Sequence, residues 1–571
     1  MSFRFCNYFF RFVLLFSGFF ILQQKSFGQT QRGNDIDGKT AGEQAGTSVS
    51  MPDANTVAIG APRNSQGGTN AGMVSIYQWN GTGWVQKGND IIGEAVNDFF
   101  GFSVSMPDAN TVAVGAYAND GNGTNSGHVR IYNWDGTAWV QKGVDIDGEA
   151  TGDYSGYSVS MPDANTVAIG APRNDETGGN AGHARVYTWN GTSWIQLGSD
   201  INGESADDRF GTSVSMPDAN TLAVGAIYND GNGAEAGQVR IYLLSNSNWI
   251  QKGIDIDGDV TEDNFGYSVS MPDANTVAIG AINHDFNQAL NSGQVKMYYW
   301  NGGSWLQKGN EIKGLVSNDL LGSAISMPNE NTVAVGAPLH DGGGMTNVGE
   351  VYIFRFVLNA GGGGGEWVQE TYYIRGEAAT DFFGSSVSMP DDFTVAMGAI
   401  ENDGNGANAG HVRVYGVPGG LPVVFGAINA SYGNKILDLN FTTTTETNND
   451  HFIVEASTNG IDFMEIGSID SKTKDGNSSS SIVYSVRIDL SNTLLYSTLL
   501  LSFLFILPFS FSKRSAKWMW IGFTFFALSF LSCNKTIESG SIDFGNLYFR
   551  IAQVDKDGGK NYSKIIKVKE L

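Results

Sequence analysis

Cysteine is almost missing from this chain: Cys6 and Cys533 are the two in 571 residues. Once a leader carrying Cys6 is removed, no internal disulfide can form. An exported chain of this kind must then draw its stability from packing. No HExxH, GxSxG or paired CxxC pattern occurs, so the common metalloprotease, serine-hydrolase and zinc-ribbon signatures are absent. Cations are scarce as well, with 34 Lys and Arg against 58 Asp and Glu and a net charge of −24. Such a surface repels nucleic acid, favours solubility and attracts cations. Charged residues make up only 16% of the chain while glycine reaches 75 residues, which suits a β-rich fold with many tight turns better than a helical one.

What the chain has in abundance is self-similarity. Met-Pro-Asp-Ala-Asn-Thr-Val begins at Met51, and variants begin at Met106, Met161, Met216, Met271, Met327 and Met389. The first four steps are 55 residues each, and the last two are 56 and 62. A fixed period of this size means one supersecondary unit copied several times, each burying its apolar faces against its neighbours. In the third copy, residues 157–161 alternate and read as a strand. Pro162 then opens a turn at the position where a type I turn prefers a preset φ. Residues 166–171 and 184–189 read as the second and third strands. Asn190-Gly191 is a strong hairpin signal, and residues 193–197 begin a fourth strand. Four antiparallel strands in each of seven copies predict a β-propeller.

The ends of the array predict closure. The last copy stops near Pro418 without a Trp-bearing fourth strand, while residues 33–38 (Gly-Asn-Asp-Ile-Asp-Gly) match residues 143–148. An N-terminal strand is therefore expected beside Val412, sealing the last unit and leaving no open edge. Along residues 166–171, Val167 and Ile169 point one way and Thr166, Ala168 and Gly170 the other. Trp84, Trp139, Trp194, Trp249, Trp305 and Trp367 recur on fourth strands, and Trp79, Trp134, Trp189 and Trp300 on third strands. One structural position per unit points to packing between units.

Phe210-Gly211, Phe265-Gly266 and Phe383-Gly384 open repeats, and Gly60-Ala61-Pro62, Gly170-Ala171-Pro172 and Gly336-Ala337-Pro338 close second strands. These units resemble FG-GAP repeats, found in the integrin α-chain propeller and in many bacterial surface proteins, over roughly two-thirds of the chain. The resemblance implies a seven-bladed propeller and, often, extracellular adhesion. Calcium-binding members carry an Asp-x-Asp-x-Asp-Gly loop between the first two strands. Here that place holds only a Pro-Asp-Ala-Asn turn, so calcium is not carried over to it.

Connectivity puts the short 1–2 and 3–4 turns on one face and the long 2–3 and 4–1 loops on the other, the better place for ligand contact. Its 2–3 loops vary most between copies. Three contain Asn-Asp-Gly-Asn-Gly, in which Asp120, Asn122, Asp230, Asn232, Asp403 and Asn405 could offer oxygens to Ca2+. The competing reading is a turn whose Asp and Asn bond their own backbone. His284, Asp285, His340 and Asp341 lie in longer loops of the same face as candidate ligand-binding residues. His128, His183 and His411 share one position at the start of third strands and read as structural. Asp98, Asp153, Asp208, Asp263, Asp319 and Asp381 sit just before each new unit and read as loop caps.

Three further segments bear on location. Residues 1–28 read as a secretory signal, with Arg4 and Arg11 before an apolar core at 12–22 and small residues Ser26 and Gly28 before the expected cut. Losing Arg4, Arg11 and Lys25 takes the charge from −24 to −27. Residues 421–571 carry seven short alternating segments and read as a fibronectin type III-like sandwich. Within it, residues 494–511 and 518–533 are uncharged and flank Lys513, Arg514 and Lys517. They are expected to form a transmembrane hairpin with its basic turn in the cytoplasm. The alternative is a lipoprotein-type signal lipidated at Cys533.

The expected fold is thus all-β: a propeller over 29–418, followed by a sandwich interrupted by a hydrophobic helical hairpin at 494–533. The expected role is non-enzymatic binding or adhesion to an extracellular protein or glycan through the long-loop face, by an exported, membrane-anchored protein. A carbohydrate-active hydrolase or lyase, since propellers host such enzymes, and a purely structural surface protein are the competing classes.

Overall fold

A computed structural model describes residues 30–358, 364–417, 424–433, 436–446, 449–457, 463–473, 478, 481–490, 547–555, 560–563 and 565–568. Among these residues the protein is all-β, without a helix. The secretory signal of 1–28, the hairpin of 494–533 and lipidation at Cys533 all fall outside them. No described helix is long and apolar enough to cross a membrane. The chain divides into two units, Met1–Pro418 and Gly419–Leu571.

The third repeat shows how the sequence builds the first unit. Its strands Ser158–Asp163, Thr166–Ala171, His183–Trp189 and Trp194–Gln196 pair antiparallel in chain order. After a bend at Gly198 (φ +81°), Ile201–Asn202 returns to pair with the start of the same third strand. The fourth strand is therefore in two pieces, and its second piece leads into the next repeat. Every residue of Thr166–Ala171 is buried. Val167 and Ile169 pack with Ala113, Val129 and Ile131 of the preceding sheet, and Ala168 packs with Leu222 and Val224 of the following one. A large face thus meets a small face, which lets neighbouring sheets fill the space between them at high density.

Two turns differ from expectation. Pro162 is not in the 1–2 turn; it lies in the first strand, where the register shifts between Ser160 and Asp163. Proline lacks an N–H and is tolerated in such a bulge. The turn itself is held by Asp163, whose Oδ1 accepts the Asn165 N–H at 2.7 Å. The 3–4 loop holds four residues rather than two, because Trp189 pairs with Trp194. Asn190 Oδ1 accepts the N–H groups of Thr192 and Ser193, each at 2.9 Å, and closes that longer loop.

The bulge has a purpose. It turns the methionine N–H out of its own ladder toward the preceding sheet. Met161, Met216 and Met271 donate to Ser105, Ser160 and Ser215 Oγ at 2.9, 2.9 and 3.0 Å. Met51 donates to Ser388 Oγ at 2.9 Å, joining the first repeat to the last. First strands are thereby inner strands, each bonded to its neighbours. The Phe-Gly and Gly-Ala pairs meet beside them. Phe210 is fully buried, Gly211 adopts φ +95°, and its carbonyl accepts Ser158 Oγ–H at 2.8 Å. A Cβ on Gly170 would lie 2.1 Å from that carbonyl oxygen, so only glycine fits.

At the outer edge, tryptophans latch one sheet to the next. Trp189 and Trp194 lie 5.5 Å apart at 57°, Lys142 Nζ sits over both rings, and Trp194 Nε1–H donates to Lys142 O at 2.7 Å. The same latch joins Trp134 and Trp139 to Lys87, and Trp300 and Trp305 to Lys252. Among the described residues seven sheets of this kind occur; six carry the extra short strand. In the remaining one, Glu350–Leu358 pairs with Gly365–Arg375, and this longer hairpin takes up the 62-residue step. In the last sheet the fourth position is filled by the start of the described chain. Thr30–Gln31 and Ile36–Asp37 both pair with His411–Gly416, with Ile36 opposite Val412.

The second unit holds two sheets. Val424–Gly433, Ile436–Thr445 and Ile482–Asp489 form one. Met464–Asp470, Asn449–Ser457, Leu547–Asp555 and Lys560–Tyr562 form the other, with Ile566–Val568 also on Leu547–Asp555. They share one core in which Leu439 and Phe441 meet Phe452 and Phe549.

Candidate functional site

The long loops leave from the C-terminal ends of second strands and enter at the N-terminal ends of first strands. Residues just outside those strand ends therefore gather at the inner edge of the long-loop face. In repeats two to five several are aromatic or arginine. Phe99 and Phe102 precede one first strand, and Tyr117 follows the second strand of the same sheet. Tyr154 and Tyr157 precede the next first strand, and Arg173 follows its partner. Arg209, Tyr228 and Tyr267 occupy the corresponding places further on.

These side chains form one cluster. Phe99 stacks on Tyr117 at 5.5 Å and 6°. Phe102 meets Tyr117 at 4.6 Å and Tyr157 at 4.9 Å. Tyr117 also meets Tyr154 at 5.2 Å. The Arg173 guanidinium lies 4.4 Å over the Tyr154 ring and Nη1 donates to Tyr154 Oη at 3.3 Å. Arg209 lies 4.5 Å over Tyr228, and its buried Nε–H has no acceptor. Phe99, Tyr154 and Arg209 hold φ values of 55°, 60° and 55°. Gln44, Asn264, Leu320 and Phe382 share this conformation in other repeats, so it belongs to the loop and not to the aromatic cluster.

The electrostatics are unusual for so acidic a chain. Among the described residues no carboxylate forms a salt bridge with Arg173 or Arg209. The Tyr117 and Tyr157 hydroxyls stay neutral. Burial, then the neighbouring Tyr154, pushes Tyr117 up; burial, then Tyr267 and Tyr117, pushes Tyr157 up to about 12. Neutral phenols are donors and acceptors but poor nucleophiles at neutral pH. The cluster can present flat apolar rings and uncompensated guanidinium charge to a ligand, which suits binding rather than covalent chemistry.

The residues singled out in the sequence have other surroundings. Asp120 Oδ1 accepts the Asn125 N–H at 2.8 Å, and Asp230 and Asp403 accept the equivalent N–H groups of Glu235 and Asn408, each at 2.8 Å. Asn122, Asn232 and Asn405 each donate through Nδ2, to Gly148, Gly258 and Gly38 carbonyls at 2.8 Å. Asp285 and Asp341 close their longer loops in the same way, onto Asn291 at 2.7 Å and Asn347 at 2.8 Å. His284 Nδ1 lies 3.0 Å from Asp263 Oδ2, and His340 Nδ1 2.9 Å from Asp319 Oδ2. They stand where Asn119, Asn174, Asn229 and Asn402 bond Asp98, Asp153, Asp208 and Asp381 in other repeats. The Asp319 hydrogen bond raises the His340 pKa more than burial lowers it.

A second set of side chains clusters at the start of third strands. Three groups bring ligand atoms within 4.8 Å of one another: Glu149, Glu176, His183 and Asp200; Glu94, His128 and Asp145; and Asp35, Asp37 and His411. Sequence reasoning missed the aromatic–arginine cluster, although its signal was there. Where copies are otherwise near-identical, the residues bordering the strands change to Tyr, Phe and Arg. It also missed the histidine–acid groups, whose acids are brought to the start of a third strand from separate segments and share no local spacing.

The FG-GAP repeat family matches residues 93–132, 140–187, 202–242 and 376–415. No curated protein matches the chain. Among solved structures, a periplasmic gluconolactonase of Pseudomonas aeruginosa is similar at 11% identity and a TM-score of 0.38, over 80% of this chain and 99% of that one. The β-propeller domain of the trilobed protease of Pyrococcus furiosus, described as having an open velcro topology, is similar at 11% identity and a TM-score of 0.30, over 59% and 89%. A Dyadobacter fermentans protein of unknown function is similar at 12% identity and a TM-score of 0.35, over 68% and 100%. The four matched segments are FG-GAP repeats, and the repeated four-stranded antiparallel sheets to which they belong are those of a β-propeller.

Proposed function

We propose that this protein is a non-enzymatic binding protein whose propeller is a closed ring of seven blades and whose long-loop face captures an acidic ligand outside the cell. Sheet-to-sheet hydrogen bonds running from Met51 to Ser388 support the ring. The strand orders of the second unit, 1-2-5 and 4-3-6-7, support a fibronectin type III-like module. Export through residues 1–28 and anchoring through residues 494–533, by a hairpin or by Cys533, complete the reading.

One observation carries the ligand class: two arginines without a carboxylate partner, Arg173 and Arg209, lie over tyrosine rings in a chain of net charge −24. Guanidinium groups free of carboxylates favour a carboxylate or sulfate, and tyrosine rings favour the C–H faces of sugars. An acidic glycan combines both. The test is a glycan array probed with the full-length protein and with Arg173→Ala, alongside hydrolysis assays on the bound glycans. Capture of acidic but not neutral glycans, lost in the variant, is expected. Turnover of a bound glycan would favour the carbohydrate-active enzyme, and no capture at all a structural surface protein.

A further inference from the structure

We propose that Glu149, Glu176, His183 and Asp200 form a binding site for one divalent first-row transition-metal ion on the third repeat. The four come from different places. Glu149 is in the link entering the repeat, and Glu176 in its 2–3 loop. His183 begins the third strand, and Asp200 lies in the break of the fourth. Their ligand atoms lie within 4.8 Å of one another. Four ligands held tetrahedrally at about 2.0–2.2 Å from an ion lie roughly 3.3–3.6 Å from one another. Glu149 and Glu176 are exposed and can close that difference by side-chain movement.

The buried member points to a ligand. His183 is 1% exposed, and its Nδ1 has no hydrogen-bond partner; Glu149 Oε2, at 3.9 Å, is too far to bond it. An orphaned buried nitrogen is costly, and a metal would satisfy it.

The unpartnered nitrogen is common to the histidines of all three groups; charge singles this one out. In the His128 group, Arg130 bonds both oxygens of Asp145 at 3.0 and 2.7 Å and also reaches Glu94. In the His411 group, Arg413 bonds both oxygens of Asp35 and pairs with Glu377. A guanidinium already serves as the counter-cation in each. Arg185 reaches only Glu149, at 3.0 Å, and the Asp147 carbonyl, at 3.1 Å. Three carboxylates against one guanidinium leave two negative charges at the His183 group, the complement of a divalent ion. Imidazole with carboxylates suits zinc or manganese; calcium, which takes oxygen ligands, has no use for the nitrogen.

The experiment titrates Zn2+, Mn2+ and Ca2+ into chelator-treated full-length protein by calorimetry. Zn2+ or Mn2+ should bind with one tight equivalent, and X-ray absorption of the zinc-loaded protein should show imidazole and oxygen scatterers at about 2.0–2.1 Å. Glu176→Gln and Asp200→Asn, both outside the core, should weaken binding at least about tenfold, and His183→Gln should abolish the imidazole signature. Glu94→Gln should leave the tight site intact. Absence of a tight equivalent, preference for Ca2+, or affinity unchanged in Glu176→Gln and Asp200→Asn would each overturn the site, whatever the glycan array shows.

Discussion

Replacing Ser160 with alanine removes one oxygen from the seam between the third and fourth sheets. That oxygen accepts the Met216 N–H at 2.9 Å, and Met216 is 5% exposed. The donor points to the neighbouring sheet because the bulge has taken it out of its own ladder. With Ser160 gone, no other acceptor is in place. A buried N–H left unpaired costs about 1–3 kcal/mol, which corresponds to about 5- to 150-fold faster opening at that amide. Native-state hydrogen exchange read at Met216 measures it directly. Ser158→Ala is the internal control. Its hydroxyl donates to Gly211 O at 2.8 Å, and the equivalent residue in another repeat is already alanine, Ala324. Its cost should stay at or below about 1 kcal/mol. Unchanged exchange at Met216 in Ser160→Ala, or a larger loss in Ser158→Ala, would show that the serine–methionine bonds do not hold the sheets together.

Other perturbations test the packing and the sites. Ile169→Ala, at a side chain 1% exposed, should cost about 2–5 kcal/mol in chemical denaturation of the propeller; a loss under 1 kcal/mol would contradict the large-on-small packing. Trp194→Phe keeps the ring but loses the bond to Lys142 O, and should lower stability by about 0.5–1.5 kcal/mol, seen as a lower thermal midpoint. His128 is buried neutral with its pKa lowered to about 4, chiefly by desolvation and then by Arg130, against the partial opposition of Asp145 and Glu94. The unfolded chain, titrating near 6.5, binds the proton more readily. Stability should therefore fall as pH drops from about 6.5 to about 4, by about 3 kcal/mol for this residue. Denaturation across that range should show the decline, and His128→Gln should flatten it. Arg173→Ala should leave the melting temperature within a few degrees while reducing acidic-glycan capture on the array.

Much of the architecture was legible along the chain because it is written in local pattern repeated many times. Thr166–Ala171 alternates, and it is a strand over those residues. The likeness of residues 33–38 to 143–148 placed the chain start beside Val412, where Ile36 pairs. Trp139 and Trp194 recur at one position and sit in one kind of latch. The repeated loop acids cap their loops, as Asp153 does by accepting the Ala150 N–H at 2.9 Å. Period and alternation report which face of a strand is buried, and that is a property of neighbouring residues.

What the chain alone left open depends on distance across sheets. Pro162 lies in a bulge because Met161 must reach Ser105 in the preceding sheet, a demand no local turn rule contains. The Asn-Asp-Gly-Asn-Gly loops looked like oxygen donors, but Asn122 and Asn232 spend their amides on carbonyls 26 residues onward and Asn405 spends its amide on Gly38, 367 residues back. Tyr117, Tyr154, Arg173 and Arg209 are dispersed over some ninety residues, and Glu149 and Asp200 over fifty. Only the stacking of sheets side by side turns those intervals into contacts, because a site assembled from loops of several repeats has no spacing of its own to read.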